Sequence, residues 1–182
     1  MDEYKVVIGV AVLLIIIAVI STANSLTRLR NKVRELSSDI DVALEKRYDL
    51  LKKQYSIVKM YMSHESQTLL EAIKLRRGMS HEEQEDAIRG IDDMAGRINA
   101  SFEAYPNLRS SENVLALQKS CDNAEEHLQA ARRLYNAGAT QYNDKCKTFP
   151  SCIIAAVTGH KGVQYFKADE TKREDYDDFN CH

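Results

Sequence analysis

The most reactive side chains in this sequence are four cysteines, five histidines and a His64-Glu65 pair, and their spacing decides what chemistry they can support. A zinc-peptidase helix needs HExxH, two imidazoles one turn apart with the glutamate between them as base. Position 68 is threonine, so the second imidazole is missing and no ligand tripod forms. His81, His127, His160 and His182 are scattered over caps, helix faces and tail. The terminal Cys181-His182 dipeptide reads as a polar chain end in preference to a metal ligand pair. Cys121, Cys146, Cys152 and Cys181 make no CxxC, a spacing that suits neither a metal cluster nor a dense disulfide scaffold. Reduced thiols are expected, with Cys121 and Cys146 as small apolar packers along a helix. An oxidising compartment would leave a Cys146–Cys152 bridge open. GxSxG, P-loop and GxGxxG patterns are absent. The sequence therefore assigns no catalytic, cofactor-binding or metal residue, and the expectation is a protein that is not an enzyme and carries no cofactor.

A second set of polar residues falls within helical stretches: Asn31, Asp41, Arg47, Asp49, Arg132, Arg133, Asn136 and Asn143. With 100° of rotation per residue, Arg47 and Asp49 flank an apolar stripe, as Arg132 and Arg133 flank theirs. Two readings follow. These residues form interhelical ion pairs and hydrogen bonds that set register, or they line a polar groove that binds a partner.

The elements that must position them are helices. Among 182 residues there are only 7 glycines and 2 prolines, no tryptophan, and 29% charged residues, a composition of long helices with solvated faces. The net charge of −2 argues against a general nucleic-acid binder, which needs a basic surface. Residues 6–20 read VVIGVAVLLIIIAVI without a polar side chain. Extended to residues 4–23, this stretch spans roughly 30 Å, the hydrocarbon thickness of a bilayer. Ser21-Thr22-Ala23 offers a signal-peptidase pattern, but the preceding MDEYK is acidic and the apolar run is long for a cleaved leader. A single transmembrane helix is expected. Lys5 stands alone before it, whereas Arg28, Arg30, Lys32 and Arg34 follow it. The positive-inside rule then puts the N-terminus outside and the body in the cytoplasm; an extracytoplasmic body is the alternative.

Beyond the span, Leu26, Leu29, Val33, Leu36, Ile40, Leu44, Tyr48, Leu51, Tyr55, Val58 and Met62 recur at the period of an α-helix, and Leu69 and Ile73 extend the row. A first soluble helix of about 50 residues, roughly 75 Å, is expected. Ser80-His81-Glu82-Glu83 is a capping box that opens a second helix, closed by Pro106. A third starts at Ser110 or Ser111 and stops at Pro150, and residues 151–158 read as a short apolar helix ending at Gly159. Tyr165-Phe166 should dock the start of a polar, net acidic tail. The expected fold is all-α: one transmembrane helix, then an antiparallel up-and-down bundle of three long helices plus a short fourth. Its parts are an N-terminal flank (1–5), the span (6–23), the bundle (24–166) and the tail (167–182).

Four stretches then resemble one family. They are Arg30-Asn31 with DIDVALEKRYDL (39–50), Tyr105-Pro106-x-Leu108 with Leu117-Gln118, ARRLYNAGATQYN (131–143) leading to Thr148-Phe149-Pro150, and Tyr165-Phe166-x-Ala168. Their order and spacing resemble the LemA family of membrane proteins from the span to about residue 170. The family pattern usually continues with a proline–asparagine pair where this chain has Lys52-Lys53, so the first helix should run straighter there. The resemblance implies an antiparallel helical domain on a single-span anchor, with no established catalytic activity.

The expected role is a non-enzymatic bacterial scaffold or adaptor that meets other membrane proteins at the bilayer. A membrane-linked signalling module is the alternative, and a hydrolase a more distant one. Self-association is also expected. A second helix of about 25 residues returns only some 38 Å along a 75 Å first helix, which leaves Leu26, Leu29, Val33 and Leu36 for a neighbouring copy to cover.

Overall fold

The computed structural model describes residues 2–59, 73 and 75–166, and every described element is helical. Five helices follow one another: α1 (Asp2–Val58), α2 (His81–Ala104), α3 (Pro106–Arg109), α4 (Glu112–Lys147) and α5 (Ser151–Val157). α1 is continuous from the apolar N-terminal stretch into the bundle. It contains a segment long and apolar enough to cross a membrane, with mean hydropathy 3.0 and no part of that window buried by the rest of the chain. The continuity has a local cause: the sequence supplies no proline in α1 and one glycine, Gly9, so nothing interrupts the hydrogen-bond ladder.

Local signals set the helix boundaries. The Ser80 hydroxyl accepts from the Glu83 N–H and the Glu83 carboxylate accepts from the Ser80 N–H, so the capping box is formed. The Ser80 N–H and the nearby Arg76 guanidinium hold the Glu83 carboxyl below its usual range. Pro106 occupies the first turn of α3, where its missing N–H costs nothing. α5 ends in a Schellman motif, with His160 N–H donating to Ala155 O and Gly159 N–H to Ala156 O. That motif needs a left-handed residue, and Gly159 supplies it at φ +71°.

Cross-helix contacts fix the directions. Arg47 meets Glu125, Leu36 meets Gly138, and Arg30 and Arg34 act electrostatically on Tyr142. Partner numbers fall as α1 numbers rise, so α4 is antiparallel to α1. Along α2 the order is reversed: Ser37 and Asp41 bond Gln84, and Arg47 pairs with Asp92. α2 therefore runs parallel to α1, which corrects the up-and-down order expected from the sequence. The cause lies between these helices. Ile73 packs on Gly90, and Leu75 and Met79 sit with Ser38, Asp41 and Val42. The chain has thus already come back along α1 before α2 begins. The described part of α1 ends at Val58, with Ile73 beside α2, so the expected 50-residue first helix is shortened. Met62, His64, Glu65, Thr68 and Leu69 lie outside the described residues, as do Ala168, Cys181, His182 and the rest of the tail.

The core is one cluster running along α1 from Leu26 through Leu44 and Leu51 to Val58. It meets Ile91, Met94, Ile98 and Phe102 of α2 and Val114, Leu128, Ala139 and Tyr142 of α4. Leu26, Val33 and Leu36 are buried within the single chain and Leu29 packs partly against the same core. The expected self-association row is thereby corrected. α4 has 36 residues, about 54 Å, and so matches the part of α1 beyond residue 23. The element that lies against this row is α4, not α2.

Candidate functional site

Between α5 and the tail, residues 161–166 form neither helix nor strand and are held to α4 by side chains. Asn143 clasps the backbone of one residue: its amide Nδ2 donates to Val163 O at 2.9 Å, and its Oδ1 accepts from Val163 N–H at 2.8 Å. Asn136 repeats the arrangement on Phe166, with both bonds at 2.9 Å. The Tyr135 hydroxyl donates to Gln164 O at 3.2 Å. The match of lengths explains the pair. Seven residues of helix advance about 10 Å, and three residues of extended chain advance a similar distance. Each asparagine amide thus acts as a strand edge would, pairing with N–H and C=O of one residue. Gly162 lets the segment lie this close, because a Cβ there would sit 3.0 Å from Asn143 Oδ1.

Phe166 closes the segment. It is buried, with its ring edge-on to His81 at 4.1 Å and to Tyr135 at 5.1 Å, and with the Arg132 guanidinium 5.6 Å from its centroid. His81 opens α2, so one phenylalanine joins the start of α2 to the middle of α4. Tyr165, expected to dock beside it, is exposed. Successive residues of an extended segment point to opposite sides, so both rings cannot face α4.

A second polar group lies in the bundle interior. Asp41 accepts from Gln84 Nε2 at 2.6 Å and from Gly78 N–H at 2.8 Å, and Gln84 also donates to Ser37 O. One turn and a half further on, Arg47 reaches Asp92 on α2 at 2.7 Å and Glu125 on α4 at 2.8 Å. These contacts join three helices and fix their relative heights, since a shift by one turn would strand buried polar groups. A cavity of about 380 Å³ opens beside Arg47 between α1, α2 and α4, lined by Gln54, Asn99, Arg109, Gln118 and Cys121 among others.

Of the eight polar residues singled out, Asn136, Asn143 and Arg132 gather at the segment and Asp41 and Arg47 set interhelical contacts. Asn31, Asp49 and Arg133 lie exposed and outside both groups. Sequence reasoning missed His81, Gln84, Asp92, Glu125 and Tyr135. Gln84 had a legible signal, since it sits one turn before Ile88 on the apolar face of α2. Cys121, Cys146 and Cys152 are free thiols. Among the described residues no group of three or more His, Cys, Asp and Glu is placed to hold a metal.

Burial, reinforced by Asp122 and opposed by Arg47, pushes the Cys121 thiol up from 9.0 to about 11. Only about one such thiol in a thousand is thiolate at pH 8. Iodoacetamide should therefore modify Cys121 on the order of a hundredfold more slowly than a free thiol, with the rate still climbing between pH 9 and 11. Peptide mass spectrometry after timed alkylation measures this, and a plateau below pH 9 would contradict it. The sign for stability follows. The folded state holds this proton more tightly than the unfolded chain, so the contribution is full below pH 9 and lost as pH rises toward 11.

The sequence profile of the LemA family matches residues 36–177. Protein LemA of Metamycoplasma hominis is 30% identical over 159 residues, covering 85% of this chain and 73% of its own length. Magnetosome protein MamQ of Magnetospirillum gryphiswaldense is 31% identical over 77 residues, 42% of this chain and 28% of that protein. Magnetosome protein MamQ 2 of Paramagnetospirillum magneticum is 31% identical over 78 residues, 43% and 29%. The match thus spans under a third of each magnetosome protein.

Proposed function

This chain belongs to the LemA family, and from that premise we propose that it is a membrane-anchored, non-enzymatic scaffold that acts through protein contacts at the bilayer. The observation that carries the reading is the continuity of α1, which leaves no hinge between the candidate span and a bundle cross-braced by Asp41, Gln84 and Arg47. A bundle held in this way presents fixed surfaces at fixed heights above the membrane. Partners are other membrane proteins, and further copies of the chain through surfaces other than the buried 26–36 row. The same continuity favours a second reading, a signalling or regulatory module in which α1 transmits a displacement across the bilayer.

Orientation belongs to this proposal. Four basic residues follow the span and one precedes it, which supports a cell membrane location with the N-terminus outside and the bundle in the cytoplasm. A photo-crosslinking residue at exposed Val42, Leu115 or Leu134, in the full chain in native membranes, tests the scaffold. Discrete protein adducts from at least one position are expected, together with no turnover of ester, phosphoester or peptide substrates by the purified chain. Turnover, or adducts from none of the three, would overturn it. Reaction of a Leu115→Cys chain with an impermeant maleimide in intact cells would reverse the orientation.

A further inference from the structure

We propose that the base of the bundle is a second membrane contact, in which Phe149, Ile153 and Val157 enter the interface of an anionic bilayer beside the α1 span. The proposal rests on reading α1 as that span. Among the described residues, Phe149 and Val157 are the two most exposed large apolar side chains outside the apolar N-terminal stretch, at 76% and 83%, and Ile153 is at 57%. Ile153 and Val157 are four residues apart and share a face of α5. The opposite face, Ser151 and Ala155, is buried in the bundle. α5 is therefore amphipathic, with an exposed apolar outer face that no described residue covers.

The position of α5 identifies what covers that face. α4 runs toward the span, with Tyr142 at the height of Arg30 and Arg34, and its last turn descends further. The Ser151 hydroxyl donates to Lys145 O and Thr148 O, which holds α5 against the end of α4. After α5 the chain climbs back, and His160 Nδ1 meets the Tyr142 hydroxyl at 3.0 Å. α5 thus occupies the lowest part of the bundle. Leu26, one turn beyond the span, is completely buried. α2 starts level with Ser37 and Asp41, too high to reach Leu26, so among the described elements the cover falls to the end of α4 and to α5, both of which pack on α1. The outer face of α5 then lies at the height where a bilayer containing residues 4–23 has its boundary.

Charge selects the lipid. Residues 24–34 and 145–163 contain no acidic residue. They contribute Arg28, Arg30, Lys145, Lys147 and Lys161 to the same end, all at least partly exposed. Apolar side chains ringed by cations match an interface of acyl chains beneath anionic headgroups.

The chain has no tryptophan, so a single introduced indole reports one position without background. The full chain is reconstituted in phosphatidylcholine–phosphatidylglycerol vesicles, plain or with acyl-brominated lipids that quench on contact. Phe149→Trp, Ile153→Trp and Val157→Trp chains are compared with Ile16→Trp inside the span and with Val42→Trp and Leu134→Trp. Val42 and Leu134 are exposed, and Val42 lies roughly 27 Å beyond residue 24 along α1. An interfacial side chain sits some 5–10 Å into the headgroup boundary, so the three base positions should lose about half their emission to brominated lipid. Ile16→Trp should be quenched too, and Val42→Trp and Leu134→Trp should not. If Ile16→Trp is quenched while the base positions behave like 42 and 134, this proposal fails and the span stands. An unquenched Ile16→Trp removes the span and the proposal with it. Equal quenching at the base in vesicles of phosphatidylcholine alone would overturn the requirement for anionic lipid.

Discussion

In a Phe166→Ala chain, the backbone amides at positions 163 and 166 exchange with solvent on the order of a hundredfold faster or more, while the amides of α4 keep their protection. Phe166 is 4% exposed and packs on His81, Tyr135 and Arg132, and truncating a core phenylalanine costs roughly 3–5 kcal/mol. The four asparagine hydrogen bonds that remain contribute only about 0.5–1.5 kcal/mol each, net of the water bonds they replace. Residues 161–166 form neither helix nor strand and are held to α4 through side chains, so they can leave α4 without unfolding it. The loss should therefore appear as local opening, with a smaller change in the global denaturant midpoint. Hydrogen exchange read by mass spectrometry on peptides covering 159–166 and 130–145 separates the two. Unchanged protection at positions 163 and 166 would show that the asparagine clamps hold the segment without the ring.

The second large effect is expected in the bundle interior. Leu128 is completely buried on α4 in the cluster that α1 and α2 share. Leu128→Ala should lower the stability of residues 24–182 by roughly 2–5 kcal/mol, through lost burial and the cavity left by incompletely relaxed neighbours. Unlike Phe166, this side chain sits mid-helix between two other helices and has no local escape, so the whole loss should register in the denaturant midpoint with the slope unchanged. A midpoint shift corresponding to less than about 1 kcal/mol would mean that the site collapses around the smaller side chain.

The contrast between these two residues also separates what can be read locally from what cannot. The apolar row of α1, the Ser80–Glu83 capping box, the stops at Pro106 and Pro150 and the short helix before Gly159 were all legible in the sequence. Each depends on residues within one or two turns of one another. Membership of α1, α2 and α4 in one core followed from the same periodicity. So did the candidate span, because a run of fifteen apolar residues needs no partner to be recognised.

Only the tertiary structure decided how those helices are used. The direction of α2 depends on where the chain stands at Ile73, Leu75 and Met79, just before α2 begins, and apolar period carries no information about direction. That placement brings Asp41 to Gln84 and Arg47 to Asp92 and Glu125. It also leaves α4 as the element long enough to cover Leu26, Val33 and Leu36. Asn136 and Asn143 stood out as polar residues within a helix, but their partners Phe166 and Val163 lie 30 and 20 positions away in a segment with no period of its own. A side-chain amide that pairs with the N–H and C=O of one residue reads the backbone and leaves little trace in residue type. The same holds at the base of the bundle. The sequence showed that residues 151–158 were apolar, and only the packing of Ser151 and Ala155 against the bundle left Ile153 and Val157 facing outward.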